Sequence, residues 1–391
     1  MGYFMNCCIC GAPVKTIYKE KFIDILGMAR KYEQHIGLCD TCGFIFTQNP
    51  FSATLLENRY KVDSKFEYDA EDYDFGYETS MSTKRQLNLF REHDVQFNSV
   101  LEVGATSGAN LSKYECRYKM GIEPSAFNCY LAEKKYGLKM FNGMFDEYIQ
   151  THQESYDLIV LSMVLEHIVN PFSFIKKLRD INNTYIYIYV PSMDVKFINE
   201  PFGMFAEEHV NYFTFEGLNS LMAAAGYGLV DAKVEYEPDL RYPAGVPSIS
   251  SLWEKDKPQR KLRPVFNSRE ILEKYIEVNT KELETIKKKI DLIPKKERLA
   301  IWGTGHHVSM LLANTSLHEK NIVKFYDSDD KKHKYTMLEK EIVSFNPKDI
   351  ESGEVEGIFI GTYVFQEAID GILKQYHKQC HIYELYEDNI L

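Results

Sequence analysis

Short β-rich runs alternate with helical stretches between residues 86 and 235, and this rhythm constrains the fold more than any other feature of the chain. The runs are NSVLEV, YKMGIE, LKMFNG, YDLIVLS and TYIYIYVPS. Strands joined by helical crossovers pair in parallel, because only a long connection can carry the chain back across the sheet. We therefore predict one α/β domain over residues 86–235, built on a parallel sheet.

A second, smaller α/β unit is predicted at the end of the chain. The alternation resumes in RLAIWGTG, NIVKFYDSD and VEGIFIGT, and the preceding REILEKYIEVNTKELETIKKKI has apolar residues at helical spacing. Five prolines between residues 236 and 268 argue against a helix there and favour an extended connection. We therefore predict a linker over 236–268, followed by a linking helix and an α/β domain over 269–391.

Two Cys-x-x-Cys pairs stand near the N-terminus. They are Cys7 with Cys10 and Cys39 with Cys42. Four thiolates at this spacing are typical of a closed tetrahedral zinc site, in which no position is left for water. We predict a zinc-binding module over residues 1–50, with the metal in a structural role.

Residues 51–85 form a polar, tyrosine-rich lead-in between this module and the first α/β domain. Such a composition favours a surface segment or lid over a packed core element. Tyr73 and Tyr77 in this segment are expected to close over a substrate.

Charge and hydropathy exclude two classes of partner. The chain has 46 Lys and Arg against 57 Asp and Glu, a formal net charge of −11, which argues against a surface that coats nucleic acid. No apolar run reaches the roughly 18–20 residues that span a bilayer, and the first residues lack the pattern of a signal peptide. We expect a cytoplasmic protein with a small-molecule partner, and neither nucleic acid nor membrane.

The segment SVLEVGATSGANL predicts a buried strand, a glycine turn and a helix. Gly104 and Gly108 leave bare backbone at the carboxyl end of the strand, where parallel sheets bind nucleotides or nucleosides. Thr106 stands where a dinucleotide fingerprint has its second glycine, so the turn suits S-adenosylmethionine better than a pyrophosphate. Glu123, at the end of the second strand, is expected to accept hydrogen bonds from both ribose hydroxyls.

Three further residues at strand ends are predicted to contact the cofactor. They are Glu102 in the first strand, Asn142 after the third strand and Ser162 at the end of the fourth. Asn142 is expected near the adenine ring.

The chain resembles the sugar C-methyltransferases that act on nucleotide-linked deoxysugars. The segments that carry the resemblance are, in order, CDTCGFIFTQNP, LEVGATSGANL, GIEPSAFNCYLAEKKYG, YDLIVLSMVLEHIVNPFSFIKKL and EEHVNYFTFEGLNSLMAAAGY. They cover about residues 5–235, and the last third of the chain resembles the family only in outline. The resemblance implies a zinc-binding N-terminal domain, a class I S-adenosylmethionine methyltransferase core and a C-terminal Rossmann-like domain. The implied substrate is a nucleotide-activated sugar, methylated at carbon.

Glu208 and His209 are the predicted catalytic pair, since they follow the fifth strand and match a pair that the family uses in catalysis. Carbon methylation beside a ketone requires removal of a carbon-bound proton, and a histidine is a suitable base near neutral pH. We expect His209 to be this base and Glu208 to orient it or to contact the substrate. His167 is expected to bind substrate or to assist the proton transfer, and Tyr212 to line a sugar or adenine pocket.

Three alternatives remain open. An O- or N-methyltransferase of a sugar or another small metabolite would use His209 to deprotonate a hydroxyl. A NAD-dependent sugar oxidoreductase or epimerase is disfavoured, because GATSGA and GTGHHV both depart from the dinucleotide fingerprint. A non-catalytic scaffold around the zinc module predicts no measurable effect of His209→Ala.

Overall fold

The structure is a computed structural model, and it describes residues 5–62, 75–194, 201–237, 246–258 and 267–386. In chain order the strands in these ranges are β1 (Met5–Asn6), β2 (Pro13–Ile25), β3 (Ala29–Leu38), β4 (Ile45–Thr47), β5 (Ser99–Val103), β6 (Tyr118–Glu123), β7 (Lys139–Asn142), β8 (Tyr156–Ser162), β9 (Asn182–Pro191), β10 (Asn211–Tyr212), β11 (Tyr227–Glu237), β12 (Val246–Lys255), β13 (Leu299–Trp302), β14 (Ile322–Tyr326), β15 (Thr336–Met337), β16 (Lys340–Val343), β17 (Gly357–Ile360) and β18 (His381–Tyr383). The α-helices are α1 (Ala53–Val62), α2 (Phe75–Glu92), α3 (Ala109–Ser112), α4 (Ala126–Tyr136), α5 (Phe145–Thr151), α6 (Pro171–Asp180), α7 (Phe215–Ala224), α8 (Ser268–Asp291), α9 (His306–Asn314), α10 (Lys348–Glu351) and α11 (Gln366–Leu373).

The chain divides into two compact units. The first consists of Met1–Thr16, Gly37–Lys196 and Glu208–Leu272, and the second of Ile17–Ile36, Phe197–Glu207 and Glu273–Leu391. The segment between the two cysteine pairs therefore does not stay within one N-terminal module, because the far part of the β2–β3 hairpin belongs to the second unit. The cysteine spacing carries no information about the long insert between the pairs.

The first unit is built on a seven-stranded sheet in the order β11-β12-β9-β8-β5-β6-β7. The five predicted strands are confirmed as β5 to β9, and they run parallel. Leu101 and Ile159 are fully buried, as expected for the near-continuous apolar runs of a parallel sheet covered on both faces. Because β5 lies between β6 and β8, the strand order reverses there, and a crevice forms at the carboxyl ends of the strands.

Residues 246–255 differ from the predicted extended connection. They form β12, which is antiparallel to both β9 and β11. Ile249, Leu252 and Trp253 on this strand are fully buried. The prolines did exclude a helix, but a proline near the start of a strand is compatible with a sheet, and Pro247 occupies that position.

The N-terminal strands form a second sheet, in the order β1-β2-β3-β4-β10. Within the first unit, Cys7, Cys39 and Phe44 are buried in the same core as Ile188 of β9. Strand β4 is antiparallel to β10, with Phe46 opposite Asn211. The cysteine turns are thus packed on the α/β core of the first unit.

The second unit contains a six-stranded sheet in the order β15-β16-β14-β13-β17-β18. Strands β13, β14, β16, β17 and β18 are parallel, which confirms the predicted second α/β unit. The predicted linking helix is α8, whose Leu283, Ile286 and Ile290 are buried. No helix in the described part of the chain combines the length and the apolarity that crossing a membrane requires.

Candidate active site

The chain leaves β5 through a turn whose backbone is left-handed at Gly104 (φ 72°), Thr106 (φ 46°) and Gly108 (φ 75°). The amide of Gly104 donates a hydrogen bond to the carbonyl of Ile122 in β6, at 2.9 Å. A Cβ atom on Gly104 would lie 2.7 Å from Cγ2 of Val164, in the segment that follows β8. Glycine is therefore required at position 104 both for its backbone conformation and for space.

Gly108 has an additional packing role. A Cβ atom there would lie 2.6 Å from Cδ1 of Leu138 and 2.8 Å from Cβ of Ala132, whereas a Cβ atom on Gly137 (φ 63°) would meet nothing within 4 Å. We expect Gly108→Ala to lower the free energy of unfolding by roughly 2–5 kcal/mol, from the left-handed backbone and overpacking together. Gly137→Ala should cost only the backbone contribution of about 1–2 kcal/mol. Urea unfolding of both variants measures the difference, and equal losses would contradict this packing role.

Glu123 connects the turn to the next crossover helix. Its Oε2 accepts a hydrogen bond from the amide of Thr106 (3.0 Å), and its Oε1 accepts one from the amide of Ser125 (2.9 Å). The side-chain amide of Asn142 donates to the carbonyls of Glu123 (3.2 Å) and Pro124 (2.9 Å). The predicted ribose acceptor and the predicted adenine neighbour thus lie at the same edge of the sheet.

A groove of about 580 Å³ opens beside these residues. Its lining includes Pro124, Ala126, Phe141, Asn142 and Gly143. The rest of the lining is polar and includes Gln150 and the ion pair of Lys61 with Glu147. The ring of Phe141 beside the amide of Asn142 suits a flat heterocycle, which is the kind of ligand predicted near Asn142.

Glu102 is buried behind the turn, with 2% of its surface exposed. Its Oε1 accepts a hydrogen bond from the side-chain amide of Asn110 at 2.5 Å. Its Oε2 is also buried and has no hydrogen-bond partner among the described residues. A buried carboxylate oxygen without a partner is costly, and a cationic ligand group would relieve that cost.

Sequence reasoning missed the polar network that holds Glu102. Asn110 also accepts a hydrogen bond from Oγ1 of Thr83 in α2 (2.5 Å) and donates one to the hydroxyl of Tyr114 (3.2 Å). The Tyr114 hydroxyl donates in turn to the side chain of Gln86, whose amide donates to Oγ of Ser162 (3.4 Å). The network links α2, the glycine turn and the end of β8. In the sequence, only the polar residue Asn110 within SGANL indicates such a network.

Burial raises the pKa of Glu102 to about 8, from an ordinary value of 4.5, although the Asn110 hydrogen bond lowers it. Between these values the folded chain holds a proton that the unfolded chain releases, so stability falls as pH rises. We expect the free energy of unfolding of Glu102→Gln to decrease less steeply with pH than that of wild type. The difference in slope should be on the order of 1 kcal/mol per pH unit between about pH 5 and 8. Urea unfolding of wild type and variant across this range tests it, and parallel stability curves would contradict it.

The histidines predicted from two separate loops meet in the structure. His167 ends the 3-10 turn Leu165–His167 after β8, and His209 directly precedes Val210 and β10. The amide of Val210 donates to the carbonyl of Glu166 at 2.8 Å. The rings of His167 and His209 lie 5.0 Å apart, edge to face. Val164, whose side chain approaches Gly104, directly precedes this 3-10 turn, so His167 follows closely after a residue that packs on the glycine turn.

Asn211 and Tyr212 fix these two loops. The side-chain amide of Asn211 donates to the carbonyls of Leu165 (2.9 Å) and Ile168 (2.7 Å). The Tyr212 hydroxyl donates to the carbonyl of His209 (2.9 Å) and lies 2.8 Å from Oγ1 of Thr47. Tyr212 is only 1% exposed, so it differs from the expected pocket-lining residue. Its hydroxyl holds the His209 loop instead.

The acid buried beside the histidines is Glu166, which sequence reasoning did not select. It is 2% exposed, and burial, followed by the nearby Glu208 carboxylate, raises its pKa to about 8. Its Oε1 lies 3.8 Å from Nε2 of His167. Glu208 contacts the pair through its backbone, because its carbonyl lies 3.2 Å from Nδ1 of His167.

The tyrosines of the predicted lid are only partly covered. Tyr73 lies outside the described residues. Tyr77 lies in α2, of which the structure describes the backbone at that position.

A four-cysteine cluster forms where the two Cys-x-x-Cys turns meet. Its members are Cys7, Cys10, Cys39 and Cys42, whose sulfur atoms all lie within 4.8 Å of one another. The sulfurs of Cys10 and Cys39 are 3.4 Å apart, and those of Cys7 and Cys42 are 3.6 Å apart. Four sulfurs about 2.3 Å from a tetrahedral ion would be separated by about 3.8 Å, so the cluster fits a metal ion.

The cluster is connected to the His209 loop through β4. This strand follows the second cysteine pair and is antiparallel to β10. The amide of Thr47 donates to the carbonyl of Val210 at 2.8 Å. A structural change at the cysteines can therefore alter the position of His209, because β4 and β10 are hydrogen-bonded to each other.

Two family profiles match parts of the chain. The profile described as a methyltransferase domain matches residues 77–232. The profile described as C2185-like, N-terminal, matches residues 295–382. A comparison with curated protein sequences finds no match.

Solved structures with a similar fold cover about half of this chain. Magnesium protoporphyrin IX methyltransferase from Synechocystis PCC 6803, with bound SAH, is 9% identical, covers 52% of this chain and 98% of its own, and has a TM-score of 0.38. The 1,6-didemethyltoxoflavin-N1-methyltransferase from Burkholderia thailandensis is 15% identical, covers 57% and 96%, and has a TM-score of 0.39. An S-adenosylmethionine-dependent methyltransferase from Clostridium acetobutylicum ATCC 824 is 13% identical, covers 52% and 98%, and has a TM-score of 0.36.

The methyltransferase-domain match spans the glycine turn, Glu123, His167 and His209. Its fold is the α/β architecture on a parallel sheet that the strand rhythm predicted, and it is Rossmann-like, as the resemblance implied. The chain carries a methyltransferase domain over residues 77–232.

Proposed function

We propose that this methyltransferase acts on a nucleotide-activated sugar, at a carbon beside a keto group. The observation that carries the proposal is the pair of histidines held together after β8 and before β10. Methyl transfer to a carbon needs a base, because the carbon must lose a proton before it becomes nucleophilic. The resemblance of the chain to sugar C-methyltransferases supports a sugar as the substrate.

The cofactor is proposed to lie on the turn at Gly104 and Gly108. The partnerless carboxylate oxygen of Glu102 suits the positive charge of the methionine portion, and Glu123 suits the ribose hydroxyls. Asn142 and the groove beside it suit the adenine ring. When bound, S-adenosylmethionine supplies a methyl group that is already activated on its sulfonium.

His209 is proposed to take the proton from the carbon beside the ketone. The electron pair of the broken C–H bond then delocalises onto the keto oxygen, which leaves an enolate as the nucleophile. Glu208 is proposed to orient His209 or to contact the sugar. The carbonyl of Glu208 favours the tautomer of His167 that is protonated on Nδ1, so that Nε2 of His167 can accept a hydrogen bond from the substrate.

The four cysteines are proposed to hold one structural zinc ion. A set of four thiolate ligands leaves no coordination position for substrate, so the ion would stabilise the fold without taking part in the reaction.

Product analysis tests the proposed reaction. Keto sugars linked to nucleoside diphosphates are incubated with the full chain and S-adenosylmethionine carrying a 13C-labelled methyl group. We expect a carbon-bound methyl signal in the 13C spectrum of the sugar product. A methyl signal on oxygen or nitrogen would overturn the proposed carbon chemistry and support the alternative O- or N-methyltransferase.

A further inference from the structure

We propose that Glu166, His167 and His209 bind a divalent transition-metal ion, and that the bound ion blocks methyl transfer. The inhibition of methyl transfer rests on the proposed function, in which His209 is the base. The binding of the ion depends only on the geometry of the three side chains.

The three side chains offer one carboxylate oxygen and two imidazole nitrogens within 4.8 Å of one another. Oε1 of Glu166 and Nε2 of His167 are 3.8 Å apart, which is too long for a hydrogen bond. Two ligands that each lie about 2.0–2.2 Å from one ion are separated by roughly 3–4 Å. Two imidazoles with one carboxylate suit zinc, cobalt, iron or nickel better than magnesium or calcium.

The surroundings of the three ligands are already arranged for an ion. Nδ1 of His167 faces the carbonyl of Glu208 at 3.2 Å, which is the kind of contact that orients metal-binding histidines. Glu166 is 2% exposed, and its Oε2 has no hydrogen-bond partner in the described part of the chain. A cation beside the carboxylate would satisfy this oxygen.

Backbone contacts limit how far the ligands can move apart. The amide of Val210, next to His209, donates to the carbonyl of Glu166 at 2.8 Å. The side chain of Asn211 donates to the carbonyls of Leu165 and Ile168, which directly precede Glu166 and follow His167. Holding ligands in place before binding reduces the entropy that an ion must overcome.

Occupation of this site has a chemical consequence for the reaction. The nitrogen lone pair of His209 that would bind the ion is the one that a base needs. A ligated His209 therefore cannot accept the substrate proton, and the ion-free form is the active one.

The experiment is a cobalt titration of the zinc-loaded full chain, followed by visible absorption and calorimetry. We expect about one Co²⁺ per chain, with ligand-field bands but without a thiolate-to-metal charge-transfer band, since the ligands are nitrogen and oxygen. Glu166→Gln should weaken binding by at least 10–100-fold. His93→Ala is the matched control, because the exposed Glu92, His93 and Asp231 group is the remaining cluster of this kind in the described residues. It should bind cobalt like wild type.

Several results would overturn the site. They are no cobalt binding, binding that shows only the charge-transfer band of the cysteine cluster, unchanged binding by Glu166→Gln, or lost binding by His93→Ala. Calorimetry with S-adenosylhomocysteine verifies that Glu166→Gln is folded. Should it fail this test, His167→Gln at the half-buried position replaces it, with the same expected loss of cobalt.

The rate of methyl transfer is then measured at increasing cobalt occupancy. We expect the rate to fall in proportion to occupancy in wild type and to remain constant in the presence of cobalt for Glu166→Gln. Cobalt that binds but activates the enzyme, or leaves its rate unchanged, would overturn the inhibitory role. Because cobalt binding is read without any sugar, the site can be established or lost independently of the proposed substrate.

Discussion

Replacing His209 by alanine is expected to lower turnover by roughly 10²–10⁴-fold and to leave cofactor binding intact. The variant removes the proposed base, while Gly104 and Glu123, which are proposed to hold the cofactor, keep their hydrogen bonds to β6 and to the turn. Steady-state kinetics measures the first effect, and calorimetry with S-adenosylhomocysteine measures the second. His93→Ala, at an exposed site, is the control and should turn over like wild type.

The variant Tyr212→Phe distinguishes the effect of losing the proposed base from the effect of losing a contact that holds the His209 loop. This variant keeps the imidazole and loses the hydroxyl contacts to the His209 carbonyl and to Oγ1 of Thr47, so its effect on turnover should be far smaller. Wild-type turnover in His209→Ala would remove His209 from the mechanism. Lost binding of S-adenosylhomocysteine would instead assign the residue a structural role.

Cys39→Ser is expected to abolish zinc binding and to destabilise the first unit by several kcal/mol. Zinc is worth on the order of 10–16 kcal/mol in zinc-finger peptides at pH 7, and Cys39 is fully buried in the core of the first unit. Turnover should fall as well, because β4 supports the strand that follows His209. Elemental analysis should find about one zinc per wild-type chain and none in the variant, and thermal unfolding measures the stability.

Cys8→Ser is the matched control for this experiment. Cys8 lies beside Cys7 but outside the four-sulfur cluster. Its replacement should retain one zinc per chain. Full metal content and full stability in Cys39→Ser would contradict the four-thiolate site.

Much of the fold was predictable because its strands are nearly continuous apolar runs. Segments such as VLEV and LIVLS are short, mostly apolar runs with β-branched residues, which favour a sheet covered on both faces, and they form β5 and β8. Strand β12 was not predictable in this way. Its prolines and serines look like a connection, and only pairing with β9 and β11 shows which of its residues are buried.

The cofactor turn and the histidine pair also differ in how far the sequence alone predicts them. The cofactor turn is local, so SVLEVGATSGANL indicates both its shape and its position. The meeting of His167 and His209 depends on hydrogen bonds between residues that are far apart in the chain, such as Val210 with Glu166. The burial of Glu166 likewise follows from packing, so the sequence favoured Glu208, the acid adjacent to His209.

The second unit also bears on the oxidoreductase alternative. At the end of β14, Oδ2 of Asp327 accepts hydrogen bonds from the amide (2.9 Å) and the hydroxyl (2.7 Å) of Thr304. The ammonium of Lys332 lies 2.8 Å from the same oxygen. Asp327 stands where a dinucleotide fold uses an acid to bind ribose, and like Glu123 it already accepts hydrogen bonds within the chain, so the departure of GTGHHV from the dinucleotide fingerprint remains the argument against this alternative.

Calorimetric titration of the full chain with S-adenosylmethionine, S-adenosylhomocysteine and NAD tests the methyl-donor site most directly. One binding event per chain is predicted for S-adenosylmethionine and for S-adenosylhomocysteine, and none for NAD. The variant Gly104→Val, which places a side chain in the turn, should abolish the heat of binding of both S-adenosylmethionine and S-adenosylhomocysteine. Clean titration by NAD, with no heat from either sulfur-containing nucleoside at saturating concentrations, would contradict the account.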